Sequence, residues 1–298
     1  MRIEYGILAT SMSSLVQIRN GDVSAELASE KERRLFTQLR ALPSLIVALS
    51  GGIDSVYLAW AAHQVLGEQA LSVTAISPSY SAFDREQVEI FLRASGVRHE
   101  FIQTNELDNP SYRVNDSNRC YYCKDELFAM LDQLAAERDM AAIAYGVNAD
   151  DTSDFRPGQR AASEHRVLTP LLDSQLHKPE IRFLAERANL PLWDRPASAC
   201  LSSRLPYGTE VTPERLKLVE AGEAALRKLG FRQFRVRLHD TLGRIEIAPE
   251  ELPRALSPEM AAAMASALRA AGFTYITLDL EGYRQGSLNE NLARTQGT

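Results

Sequence analysis

At 298 residues the chain exceeds the usual single-domain size, so about two domains are expected. A hydrophobic share of 45% with 24% charged residues excludes an extensively disordered chain. A net charge of −6 speaks against non-specific nucleic-acid binding. No apolar run reaches the roughly 18 residues of a membrane span, and the N-terminus lacks a secretory signal, so a cytoplasmic location away from the membrane is expected.

Residues 26–42 carry apolar positions at helical spacing before Pro43, and Leu45-Ile46-Val47-Ala48-Leu49 reads as a buried parallel strand. That run leads into Ser50-Gly51-Gly52-Ile53-Asp54-Ser55. A helix over 56–66, a strand over 70–76, a helix over 84–95 and a strand near 99–104 follow. This alternation predicts a doubly wound parallel α/β sheet. Next come a helix over 124–137, a strand over 141–145 that stops at Gly146-Val147-Asn148-Ala149-Asp150-Asp151, a polar loop over 151–166 and a helix over 178–188. The loops at the strands' carboxyl ends are where ligands bind in such sheets. From about residue 205 the texture changes: helices over 213–229 and 258–270, with strands over 235–239, 244–247 and 275–280, read as a small α+β domain with a mostly antiparallel sheet. The expected division is therefore 1–204 and 205–298.

A glycine pair directly after a buried strand lets the backbone turn tightly and aim its N–H groups outward, and the following helix offers its positive end to an anion. Ser50, Gly51, Gly52 and Ser55 thus read as a pyrophosphate cradle, with Asp54 placed to organise Mg²⁺ or the nucleotide. A Walker loop, with its lysine, is absent. The bland alternative is an ordinary turn with Asp54 in a helix's first turn.

Three cysteines are an odd number for a disulfide framework, and in a reducing compartment a Cys-x-x-Cys pair is more often metal-binding or catalytic than structural. Cys120 and Cys123 lie just before the helix expected over 124–137, and Cys200 lies in Ser198-Ala199-Cys200-Leu201-Ser202-Ser203-Arg204. Thiolate is the form that attacks carbon or binds metal, and all three positions have Arg or Lys nearby in sequence. Zinc would want a fourth protein ligand. Three cysteines can hold an iron–sulfur cluster with one iron left open to a ligand such as sulfide. Thioredoxin-like redox chemistry is a third reading, and a buried small hydrophobe is the bland fate of Cys200.

The glycine loop resembles the SGGxDS signature of the ATP pyrophosphatases, or PP-loop enzymes. Further stretches are similar to the LarE family, the sulfur transferases of nickel-pincer nucleotide biosynthesis: Gly146 to Asp151 with Asp154-Phe155-Arg156-Pro157-Gly158, Trp193 to Arg204 with Pro206-Tyr207-Gly208, Arg235-Val236-Arg237, and Gly282 to Asn289. The resemblance implies a PP-loop domain followed by a small C-terminal domain, ATP and Mg²⁺ as reaction partners, and a pyridinium dicarboxylate mononucleotide whose carboxylates become thiocarboxylates. It implies nucleotide contacts at Gly146 and Asn148 as well as the glycine loop. It also implies substrate phosphate or carboxylate contacts at Arg204, Arg235 and Arg237, and sulfur chemistry at Cys200 with Glu223 as a base; an exposed helix glutamate is the bland reading of Glu223. Single-cysteine members sacrifice the sulfur of the residue matching Cys200. The added Cys120 and Cys123 match a second type, in which the three cysteines carry a [4Fe–4S] cluster that receives sulfide from a sulfur donor. The family precedent suggests a homo-oligomer built through isologous contacts. The rival readings are a tRNA thiolase of the same loop class, disfavoured by the negative charge, an amide-forming ligase, and a non-catalytic nucleotide- or metal-binding regulator.

Overall fold

The protein is described by a computed structural model over residues 23–153, 157–284 and 286. Residues 154–156, 285 and 287–289 of the stretches singled out above lie outside the described residues.

Helix α1 (Ala25–Arg40) starts at Ser24, whose hydroxyl accepts from the Leu27 amide, and faces inward with Ala28, Leu35 and Leu39. Strand β1 (Leu45–Ala48) is buried along its whole length. Helix α2 (Ile53–Leu66), strand β2 (Ala70–Ile76), helix α3 (Ala82–Ser95) and strand β3 (His99–Gln103) follow in the expected alternation. Helices α4 (Pro110–Arg113) and α5 (Arg119–Glu137) lead to β4 (Ile143–Tyr145), a 3-10 turn over Ala149–Ser153, and helices α6 (Pro157–Glu164), α7 (Pro170–Asp173) and α8 (Lys178–Arg187).

The first sheet has the order β3-β2-β1-β4, and every pairing is parallel. Leu45 and Val47 enter the core shared with α1, α2 and α8, whereas Ile46 pairs with Phe128 and Leu131 of α5 on the other face. A strand buried on both faces must be apolar throughout, which is why 45–49 reads as a continuous run. The chain winds from β1 through β2 to β3 and then returns to β4 on the opposite side of β1. The loops leaving β1 and β4 therefore diverge, and a crevice opens between their carboxyl ends.

Two expectations need correction here. The helix expected from residue 124 begins at Arg119, which places Cys120 and Cys123 inside its first turns rather than before it. Arg119 is buried and donates to Asn115 and to the Ser202 carbonyl, so a tertiary anchor sets the start where the local pattern is ambiguous. The stretch 151–166 contains α6, whose Ala161 and Ala162 pack with Phe128 of α5. Its inward face is only two alanines wide, too weak a signal beside so many polar residues.

The second unit holds α9 (Pro213–Lys228), β5 (Phe234–His239), β6 (Leu242–Ile247), α10 (Leu252–Ala255), α11 (Pro258–Ala271) and β7 (Tyr275–Leu278). Strands β5 and β6 form an antiparallel hairpin, but β6 and β7 are parallel, so the sheet is not mostly antiparallel as expected. The long return through α10 and α11 is a crossover, and a crossover delivers a parallel strand. The core of this unit includes Leu216, Val219, Val236 and Ile245, together with Tyr112, Leu201 and Leu205. No helix among the described residues is long and apolar enough to cross a membrane.

Candidate active site at the switch point

The loop after β1 is held in shape by its own serines. The Ser50 amide donates to Ser55 Oγ at 3.1 Å, and the Ser55 hydroxyl donates to the Gly52 carbonyl at 2.9 Å. Gly51 has φ +83°, and a Cβ there would sit 3.0 Å from Val88 Cγ2 and 3.3 Å from the Asp84 carbonyl. Arg195 donates to the Gly51 carbonyl at 2.8 Å and is ion-paired with Asp84, so this acceptor is already engaged. Gly52 caps α2 without a side-chain hydrogen bond, which leaves the helix's positive end open.

Gly146, at the end of β4, lies directly against that helix end: a Cβ on it would be 2.6 Å from the Ser55 nitrogen and 2.9 Å from the Asp54 carbonyl carbon. Asn148 is buried beside it, its Oδ1 accepting from the Asp150 amide at 2.8 Å and its own amide donating to Asp151 Oδ2 at 3.1 Å. Asp54 is ion-paired through Oδ2 with Lys178 of α8, whereas its buried Oδ1 has no hydrogen-bond partner. Burial raises the Asp54 pKa and Asp151 adds to it, while Lys178 and, last in size, the nearby Asn148 side chain oppose the rise. A buried carboxylate with one idle oxygen and a second carboxylate nearby fits a hard divalent cation such as Mg²⁺.

Sequence reasoning missed Lys178, Arg195 and Asp84. Lys178 did carry a signal: it opens a helix, where the macrodipole disfavours a cation, so an outside anion has to hold it there.

Cys120 is exposed, while Cys123 and Cys200 are half-buried. Burial pushes the Cys123 thiol up, with Glu106, Cys200 and Cys120 adding to the shift; Lys124 opposes it but does not prevail, contrary to the activation expected from sequence neighbours. Burial works against the Arg119 charge, yet Cys200, Cys120, Tyr112 and Tyr207 together raise its pKa. The three sulfurs thus share one electrostatic neighbourhood with a buried cation. Cys200 is held by its own backbone: its carbonyl accepts from Ser203 Oγ at 2.7 Å and from Arg204 at 3.0 Å, and the next amide, Leu201, donates to the Ser79 carbonyl at 2.9 Å.

Among the described residues, no group of three or more His, Cys, Asp or Glu is arranged to hold a single metal ion. Three soft thiol donors in the neighbourhood of the buried Arg119 guanidinium are the donor type an iron–sulfur group takes.

Arg235 and Arg237 alternate onto one face of β5, as their spacing requires, and both are buried. Arg237 grips Glu246 through two hydrogen bonds, at 3.1 and 2.9 Å, and donates to the Ser203 carbonyl at 2.6 Å. Arg204 grips Glu223 at 2.8 and 3.1 Å, so Glu223 is buried in an ion pair rather than exposed on its helix. Arg235 donates only to carbonyls, those of Phe234 at 2.7 Å and Ala197 at 2.5 Å. Burial and the neighbouring Arg204 lower its pKa to about 10. A cleft of about 500 Å³ is walled by Gly146, Asp151, Cys120, Ser203, Arg235 and Arg237, so it brings the nucleotide side, one thiol and the paired arginines together.

No family model matches the chain. An uncharacterized protein of Synechocystis sp. is 42% identical over 266 residues, covering 89% of this chain and 98% of the relative. The pyridinium-3,5-bisthiocarboxylic acid mononucleotide synthase of Lactiplantibacillus plantarum, a LarE protein, is 34% identical over 278 residues, covering 91% of this chain and 98% of the synthase. The chain belongs to the LarE family. An uncharacterized protein of Methanocaldococcus jannaschii is a more distant relative of this LarE chain, 27% identical over 240 residues, 80% of the chain and 90% of that protein.

Proposed function

We propose that this protein is an ATP-dependent sulfur transferase that adenylates the carboxylates of a pyridinium dicarboxylate mononucleotide and converts them to thiocarboxylates. The observation that carries the reading is the single cleft walled by Gly146 and Asp151, by Cys120, and by Arg235 and Arg237. A substrate carboxylate oxygen attacks the α-phosphorus of ATP, and the bond to pyrophosphate breaks with its electron pair leaving on pyrophosphate. Ser50, Gly51, Gly52 and Ser55 cradle the departing group, and Asp54 would hold a Mg²⁺ ion, which supplies charge neutralisation when bound. Gly146 and Asn148 shape the nucleotide side, and Arg204, Arg235 and Arg237 orient the substrate's anionic groups. A sulfur nucleophile then adds to the acyl carbon and AMP departs, a far better leaving group than oxide.

Cys120, Cys123 and Cys200 would hold a [4Fe–4S] cluster, which supplies, when bound, a sulfide on the iron that no cysteine ligates. A second reading rests on Cys200 alone, whose backbone is fixed by Ser203 and Arg204. In it, Cys200 Sγ itself forms the thioester, a base takes the Cα proton, and the Cβ–Sγ bond breaks to leave a thiocarboxylate and dehydroalanine. Glu223, paired with the Arg204 that holds the Cys200 carbonyl, is the base proposed for proton uptake.

Anaerobic purification followed by iron and labile-sulfide analysis, with mass spectrometry of the protein after turnover, separates the two readings. About four irons per chain and an intact Cys200 support the cluster. No iron and a loss of hydrogen sulfide mass at Cys200 support sacrifice. No substrate-dependent pyrophosphate release would sink both.

A further inference from the structure

A second cavity, of about 320 Å³, shares residues 197–199 and Arg235 with the cysteine cleft and extends toward the start of α3 and the end of α9. Five arginines and three carboxylates line it. Each carboxylate is already taken: Asp84 by Arg195, Glu223 by Arg204, and Asp194 by Arg232 at 2.9 Å. Arg227 and Arg235 are left over, and among the described residues neither forms an ion pair.

Arg227 is fixed without being neutralised. Its guanidinium carbon lies 3.6 Å from the centroid of the Phe83 ring and 5.5 Å from that of Phe234. The aromatic faces orient the fork and offer a quadrupole, not a counter-charge. Burial lowers the pKa of Arg227 against the pull of Glu223 and Asp84, and burial, Arg204 and Arg237 lower that of Arg235 against the pull of Glu223. Two cations without an ion-pair partner of their own in a part-buried cavity are costly, and a dianion lowers that cost.

We propose that this cavity binds a phosphate monoester, held between the Arg227 and Arg235 guanidinium groups and separate from the seat of ATP in the glycine loop. Its volume is that of a small-ligand pocket, enough for a phosphate with part of an attached sugar. Planar forks suit the paired oxygens of a phosphate better than the point charge of lysine. The assignment extends the proposed substrate-anion role to Arg227, and it rests on the sulfur-transfer reading only for the source of the phosphate.

The test is isothermal titration of the full chain with inorganic phosphate while a non-hydrolysable ATP analogue saturates the glycine loop, so neither adenylation nor sulfur transfer is needed. Wild type binds one phosphate, Arg227→Leu weakens it by about tenfold or more, and Arg227→Lys falls between them. Displacement of phosphate by nicotinic acid mononucleotide assigns the site to a mononucleotide substrate. Phosphate binding that the mononucleotide does not displace leaves a site for the free anion and overturns the monoester assignment. Absence of phosphate binding in wild type overturns the proposal whatever the variants do. So does an Arg227→Leu affinity equal to wild type, or an equal loss of phosphate and ATP analogue in that variant.

Discussion

Gly146 has no room for a methyl group, because the Ser55 backbone nitrogen occupies the space 2.6 Å from where a Cβ would stand. Gly146→Ala is therefore expected to push β4 off the start of α2, costing about 1–3 kcal/mol in urea unfolding and abolishing pyrophosphate release. The sequence shows a glycine at a strand end, but not which backbone approaches it. The Arg204–Glu223 pair illustrates the same limit, since 19 residues separate two side chains that are 2% and 8% exposed. Removing one partner leaves a buried charge, so Glu223→Ala is expected to lose about 3–5 kcal/mol, while Arg204→Met combined with Glu223→Leu recovers most of it; unfolding midpoints of the two variants and wild type check this. Cys200→Ala is expected to keep substrate-dependent pyrophosphate release and lose thiocarboxylate formation, as measured by coupled phosphate assay and mass spectrometry.

Helices α5 and α6 are tied by His165, whose ring nitrogens face Asp132 at 2.6 Å and Asp125 at 3.1 Å. Burial works against its protonation, but the two carboxylates outweigh burial and raise the pKa above 6.5. A raised folded value contributes stability that is fully present below about pH 6.5 and is lost as the pH climbs through it. His99 on β3 is the opposite case, with burial lowering its pKa to about 4. Its neutral form is the one that fits, so stability is lost as the pH falls from about 6.5 toward 4. Urea midpoints are expected to show His165→Gln differing from wild type most at pH 6 and converging at higher pH, and His99→Gln flattening the acid limb. The α6 element itself was hidden because its buried face is two alanines, whereas α1, α2 and α8 announced themselves through broad apolar faces.

The cleft joins residues from position 117 to 286, drawn from both sheets. We propose 1–204 and 205–298 as the two units, with Tyr112 and Leu201 reaching across to pack in the second core. Cys120 and Cys123 lie one helical turn apart on α5, and Cys200 arrives from a loop fastened to Ser79 and Arg119. Replacing Cys120 and Cys123 by serine is expected to lower iron from about four per chain to none while pyrophosphate release persists, measured on anaerobically purified protein. The order of residues by itself determined the parallel sheet and the glycine loop, and it singled out the three cysteines as candidates. These are written in local periodicity and in short motifs, which neighbouring residues alone can specify. Tertiary structure alone decided that Lys178 meets Asp54, that Glu223 and Glu246 are committed to arginines, and that Arg227 and Arg235 are not. Long-range charge pairing depends on which faces the folded chain brings together, and no local pattern encodes that.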